Sequence, residues 1–124
     1  MKALFTVGGK VRVGAKRGKL LGFPTANLSA SRRCRQGVYA SKVTVEGKIY
    51  FAATFVGVAR TFAEKEFRVE SFIFGFDGDI YGKFIYVRFY KFIRGNKKFR
   101  SSDELVAQMK KDVTEIKEFF SKET

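Results

Sequence analysis

The chain has 124 residues, 45% of them hydrophobic, with fifteen Phe and five Tyr, which is one domain's worth of length with ample apolar mass for one core. It has no histidine and a single cysteine, Cys34, which excludes an imidazole base, an internal disulfide and a Cys-rich zinc site. The formal charge of +13 points to an anionic partner; nucleic acid, a nucleotide, a phosphorylated product and a merely solubilising surface all fit it.

No apolar run approaches the roughly 20 residues needed to cross a bilayer. The opening Met1 to Lys10 turns polar too soon for a signal peptide. The chain is therefore read as one cytosolic domain over 1–124.

Taken in chain order, Thr6 to Lys16 opens with β-branched residues and glycines and reads as a strand. Arg17 to Leu28 (Arg-Gly-Lys-Leu-Leu-Gly-Phe-Pro-Thr-Ala-Asn-Leu) contains the only proline. Pro24 fixes its own φ and pushes Phe23 out of helical space, so this run is extended. Gly37 to Val45 and Lys48 to Val58 read as strands joined by a Glu46-Gly47 turn into a hairpin. Phe67 to Phe76 and Lys83 to Arg94 supply two more, separated by the Asp77-Gly78-Asp79 turn and Gly82. Strands this short and this closely spaced suggest a small barrel. The tail changes period: Ser101-Ser102-Asp103-Glu104 fits a capping box, and Leu105, Met109, Val113, Ile116 and Phe120 follow at helical spacing. That stripe is expected to pack on the barrel.

Several residues carry chemistry. In an extended chain residues two apart point the same way, so Thr25 and Asn27 present a hydroxyl and an amide oxygen to one side, with Lys19 and the Gly18 backbone upstream. Hard oxygens beside a cation suit magnesium and polyphosphate. Gly14 and Gly18 match neither a Walker A loop nor a dinucleotide fingerprint and serve equally well as a plain turn. Glu70 shares a strand face with Arg68, Phe72 and Phe74; it fits a general base or a strand carboxylate in a salt bridge. Tyr81 suits cover for a planar ligand or a rim aromatic. Arg94 to Phe99 fits either a bracket for an aromatic phosphate-bearing molecule or a solvated basic loop.

In order, these pieces resemble the riboflavin kinase family, also found as the C-terminal half of bacterial bifunctional FAD synthetases. The resemblance runs from about Gly14 to Asp112. Its carriers are Arg17 to Leu28, Gly37-Val-Tyr-Ala, Thr61-Phe62, Val69-Glu70, Asp79-Ile-Tyr-Gly82, Arg94, Lys98-Phe99 and the helix from Leu105 to Asp112. It implies a mainly β fold, a six-stranded antiparallel Greek-key barrel with a C-terminal helix, and transfer of the ATP γ-phosphate to the 5′-hydroxyl of riboflavin to give FMN.

The resemblance further implies that Thr25 and Asn27 coordinate magnesium, that Gly14, Gly18, Lys19, Thr25, Ile73 and Tyr81 bind ATP, that Glu70 is the catalytic base, and that Arg94, Lys97 and Phe99 face the flavin. Phosphoryl transfer depends mainly on positioning and charge neutralisation, so such a set suffices without histidine. The expected partners are riboflavin and ATP, with no nucleic acid and no membrane, and the expected state is a monomer. No adenylyltransferase half accompanies these motifs, so FAD synthesis is not expected unless the chain is a fragment of a bifunctional enzyme. Two stretches depart from the family's pattern. Phe55-Val-Gly-Val-Ala-Arg-Thr-Phe62 replaces Asn-Ile-Gly-x-x-Pro-Thr-Phe, and Glu70-Ser-Phe-Ile-Phe-Gly-Phe76 lacks the usual histidine and aspartate. Other classes consistent with the composition are a basic, aromatic-rich barrel binding single-stranded nucleic acid and a non-catalytic flavin-binding relative.

Overall fold

A computed structural model describes residues 1–12, 25–30, 34–60 and 65–122. Within these, six strands and one helix follow in order: β1 Phe5–Lys10, β2 Thr25–Ala30, β3 Gly37–Val45, β4 Lys48–Arg60, β5 Lys65–Ile73, β6 Phe84–Arg94 and α1 Ser102–Ser121. All strand pairings are antiparallel, in the order β1-β6-β3-β4-β5-β2. The sheet curls until its two edge strands approach. The Arg12 N–H then donates to the Asn27 carbonyl at 2.8 Å, making an isolated bridge that nearly closes the barrel. The mainly β barrel with a C-terminal helix is as the resemblance implies.

The expected first strand to Lys16 ends sooner, at Lys10. Beyond it the Val11 N–H donates to the Lys83 carbonyl at 2.9 Å, and the chain then crosses from β6 to β2. The β3–β4 hairpin forms as expected. Glu46 and Gly47 take φ values of 49° and 80°, the positive pair that matches the twist of the flanking strands. β5 stops at Ile73 instead of Phe76, after which Phe74 adds one further bond to the Phe51 carbonyl at 2.9 Å.

Alternation along the strands produces two apolar clusters. The barrel interior holds Val7, Leu28, Tyr39, Val43, Val56, Val69, Ile73, Ile85, Val87 and Phe89, with Phe5 stacked on Phe89 at 4.3 Å between ring centroids. On the outer face, Val38, Ala40, Ala53 and Phe72 meet Met109, Ile116 and Phe120 of α1. The apolar stripe thus packs on the barrel as expected, and full burial of side chains of this size stabilises by roughly 1.5–3 kcal/mol each. The helix start follows the capping pattern with one change. Ser101 Oγ accepts from the Glu104 N–H at 3.2 Å, but the Glu104 carboxylate reaches back to the N–H of Arg100 at 3.0 Å, not to that of Ser101. Among the described residues no helix is long and apolar enough to cross a membrane.

Candidate active site

Cross-strand register assembles the site. β2 pairs with β5 so that Thr25 lies opposite Phe72 and Asn27 opposite Glu70, and Glu70 in turn lies opposite Phe55 of β4. Directly paired residues project to the same side of a sheet. Thr25, Asn27, Glu70 and Phe55 therefore share the outer face, beside the region covered by α1. The row continues through Val38 to Arg94 at the end of β6.

The polar members of this patch are largely removed from water. Thr25 and Glu70 are each only 5% exposed. Thr25 Oγ1 and Asn27 Nδ2 are both shielded and have no hydrogen-bond partner among the described residues. Leaving such a group unsatisfied costs on the order of 1–3 kcal/mol, so two of them side by side make this a candidate ligand site. The donor chemistry fits magnesium: a hydroxyl oxygen and, after a half-turn of the carboxamide, an amide oxygen are both hard ligands. Among the described residues no group of three or more acidic, Cys or His side chains could hold a metal by itself. A magnesium ion here would take its remaining ligands from phosphate and water, as this ion commonly does.

Arg94 is held in a built unit. Its Nε and Nη2 donate to the two carboxylate oxygens of Asp112 at 2.8 and 2.7 Å, and Gln108 Nε2 donates to the same carboxylate at 3.0 Å. Nη1 donates to the Gly95 carbonyl at 3.1 Å. The guanidinium carbon lies 5.9 Å from the ring centroids of both Phe55 and Phe99, so the planar cation sits among aromatic rings next to the Glu70 row. Gly37 makes the strand approach here possible. It has φ 148°, and a Cβ on it would lie 2.2 Å from the Arg94 carbonyl oxygen.

The structure therefore brings Thr25, Asn27 and Glu70 together and sets Arg94 and Phe99 beyond Phe55. Lys97 is exposed on the segment between β6 and α1. Tyr81 is 38% exposed in the turn before β6, where its N–H donates to Asp79 Oδ1 at 3.1 Å. The neighbouring Gly82 N–H donates to the Val11 carbonyl at 3.0 Å, and Val11 precedes the Arg12 bridge to Asn27. This turn thus adjoins the start of the site. Ile73 is not brought to the patch: it is fully buried inside the barrel, on the opposite side of β5 from Glu70. Gly14, Gly18 and Lys19 lie outside the described residues, as do Pro24 and Thr61-Phe62.

Asp112 and Gln108 do not figure among the site residues expected from sequence. Asp112 is 1% exposed on a helix face otherwise formed by Met109, Val113 and Ile116. A carboxylate inside an apolar stripe is itself the signal, because burying it requires a cationic or hydrogen-bonded partner.

The family model for riboflavin kinase matches residues 1–120. The trifunctional protein RibF/MnmA of Mycoplasmoides gallisepticum is 40% identical over 122 residues, which cover 96% of this chain and 19% of that protein. The bifunctional riboflavin kinase/FMN adenylyltransferase of Bacillus subtilis is 37% identical over 123 residues, covering 94% of this chain and 39% of that one. A crystal structure described as a macrolide-efflux protein from Streptococcus pneumoniae superposes with a TM-score of 0.77 at 39% identity, covering 88% of this chain and 37% of that chain. The chain thus spans well under half the length of these proteins. With the matched family model extending over nearly the whole sequence, the chain belongs to the riboflavin kinase family.

Proposed function

We propose that this chain transfers the γ-phosphate of ATP to the 5′-hydroxyl of riboflavin, giving FMN and ADP. The observation that carries the reading is the pair of buried polar atoms on Thr25 and Asn27 that have no partner among the described residues, with Asn27 directly across the strand pairing from Glu70. Family membership supplies the reaction class; this juxtaposition suggests how it is carried out.

Thr25 Oγ1 and the Asn27 amide oxygen would hold a magnesium ion with the ATP phosphates. Bound there, the ion supplies neutralisation of the charge on the transferring phosphoryl oxygens. Glu70 Oε would accept the proton of the riboflavin 5′-hydroxyl as its oxygen bonds to phosphorus and the bond to the ADP oxygen breaks. The Arg94 guanidinium, fixed by Asp112 and flanked by Phe55 and Phe99, would bind the flavin end and set the distance of the ribityl hydroxyl from Glu70. Lys97 would add positive charge on the same side, and Tyr81 would border the nucleotide.

The test is direct. The purified chain incubated with riboflavin, ATP and magnesium is expected to yield FMN on chromatography, and EDTA is expected to stop it. ATP consumption that is independent of riboflavin, or tight flavin binding without FMN, would remove the reading.

A further inference from the structure

The part of the outer face left uncovered by α1 lies on β1, β6, β3 and the start of β4. Register arranges it in rows: Lys10 beside Phe84; then Gly8, Tyr86, Thr44 and Ile49; then Thr6, Arg88, Lys42 and Phe51, the last two bordering α1, where Phe51 stacks on Phe120 at 4.5 Å and Lys42 lies 5.5 Å from the same ring. Phe84, Ile49, Tyr86 and Phe51 are 57, 56, 51 and 42% exposed. Contiguous exposed apolar side chains of this size mark an interaction surface. Charge selects the partner: none of these four strands contains an Asp or Glu. Glu46, in the β3–β4 turn beside this face, is ion-paired with Lys83. Lys10 and Arg88 stand beside the rings of Phe84 and Tyr86, and Lys42 lies over Phe51, Tyr90 and Phe120 at the border with α1.

We propose that this face is a docking platform for single-stranded nucleic acid. The rings of Tyr86 and Phe84 rest on the backbone of Gly8, where an added Cβ would lie 3.0 Å from Tyr86 and 3.3 Å from Phe84. One side of each ring is thus supported by the sheet while about half of the side chain remains open for a base to stack on. Arg88 Nη2 donates to Thr44 Oγ1 at 3.3 Å, which lays the guanidinium across β6 and β3 within one row of Tyr86. The strand spacing of about 4.8 Å puts cations and rings at intervals that a sugar-phosphate backbone and its bases can both follow. The proposed catalytic row crosses β3, β4 and β6 at Val38, Phe55 and Arg94, whereas this platform uses the opposite ends of those strands, at Thr44, Ile49 and Phe84 to Arg88, so the proposal does not rest on the kinase reading.

The experiment is a fluorescence anisotropy titration of the full chain with a labelled oligo(U) of about 12 nucleotides. Binding is expected to weaken steeply with added salt, to persist under saturating ATP, magnesium and riboflavin, and to exceed binding to a duplex of the same length. Tyr86→Leu retains apolar cover over Gly8 but removes the π face, and it is expected to weaken binding about tenfold while leaving the melting temperature and FMN formation near wild type. Phe84→Leu is the second variant and should act in the same direction. The proposal is overturned if oligo(U) does not bind at low salt, if both leucine variants bind as wild type, if the duplex binds equally well, or if anionic vesicles compete the oligonucleotide off and bind more tightly themselves.

Discussion

The sheet carries buried polar groups on both of its faces, and the two sets are treated differently. Inside the barrel, Ser41, Thr54 and Ser71 form a ladder across β3, β4 and β5. Ser41 Oγ donates to the Ala52 carbonyl at 3.1 Å, which leaves Thr54 to donate to Ser41 at 2.5 Å and Ser71 to donate to Thr54 at 2.8 Å. Every hydroxyl has a partner, so the ladder stabilises and helps fix strand register. On the outside, across β2 and β5, Thr25 Oγ1 and Asn27 Nδ2 have no partner among the described residues. Satisfied polar groups hold a fold together, whereas unsatisfied ones in a formed site are held ready for a ligand.

The comparison can be broken first at its chemical centre. Glu70→Gln is expected to lower the rate of FMN formation by about 10² or more with modest change in riboflavin binding, as read by steady-state kinetics. Near-normal turnover would take Glu70 out of the base role. Next is the Arg94 unit. Asp112→Ala strands a guanidinium whose side chain is 18% exposed, and is expected to cost about 3 kcal/mol in urea unfolding. In the fraction that folds, the riboflavin KM should rise more than kcat falls. A loss confined to kcat would place Asp112 in the chemistry and not in the positioning of Arg94.

The two hydroxyl sets then separate by a matched pair of substitutions. Thr54→Val leaves its ladder neighbours short of a partner and should destabilise by about 1–2 kcal/mol with kcat preserved. Thr25→Val removes a hydroxyl with no bond to lose among the described residues, so stability should stay level or rise slightly, while the magnesium and ATP concentrations needed for half-maximal rate increase. Equal destabilisation by both would erase the distinction between the two faces.

The smallest expected effect is in alkaline solution. Burial, with Cys34 adding to it and Arg35 opposing it, raises the pKa of Tyr39 above the ordinary 10.0. Its hydroxyl donates to the Arg35 carbonyl at 2.5 Å. The folded state therefore favours the neutral phenol. That contribution is complete below pH 10 and is lost as pH rises through the raised value. Tyr39→Phe should flatten the alkaline limb of the stability profile measured by thermal melting.

Much of the molecule was legible in the sequence because its signals are local. The Glu46-Gly47 turn, the Ser101 cap and the stripe Leu105, Met109, Val113, Ile116 and Phe120 depend on residues within a few positions of one another, and each forms close to where its pattern lies. The pairing of Thr25 with Asn27 on one side of an extended segment is local in the same sense. Ile73 shows the limit: alternation already sets it on the face opposite Glu70, but that this face is the barrel interior follows from the curvature of the whole sheet, which no short window of sequence contains.

By itself the sequence determined that the chemistry must work without histidine, that positive charge dominates, and which residue types stand at two-residue spacing before and after Ala26. Only the tertiary structure decided which of them meet. Asn27 faces Glu70 across the β2–β5 pairing, Arg94 is clasped by Asp112 across the barrel-to-helix contact, and Phe84, Tyr86 and Arg88 line up with Lys10 and Thr44 on a face free of acid. The reason is physical: strand order and register are set by burying two apolar clusters at once. The non-local contacts that result, closed at the cost of loop entropy, determine which distant side chains become neighbours.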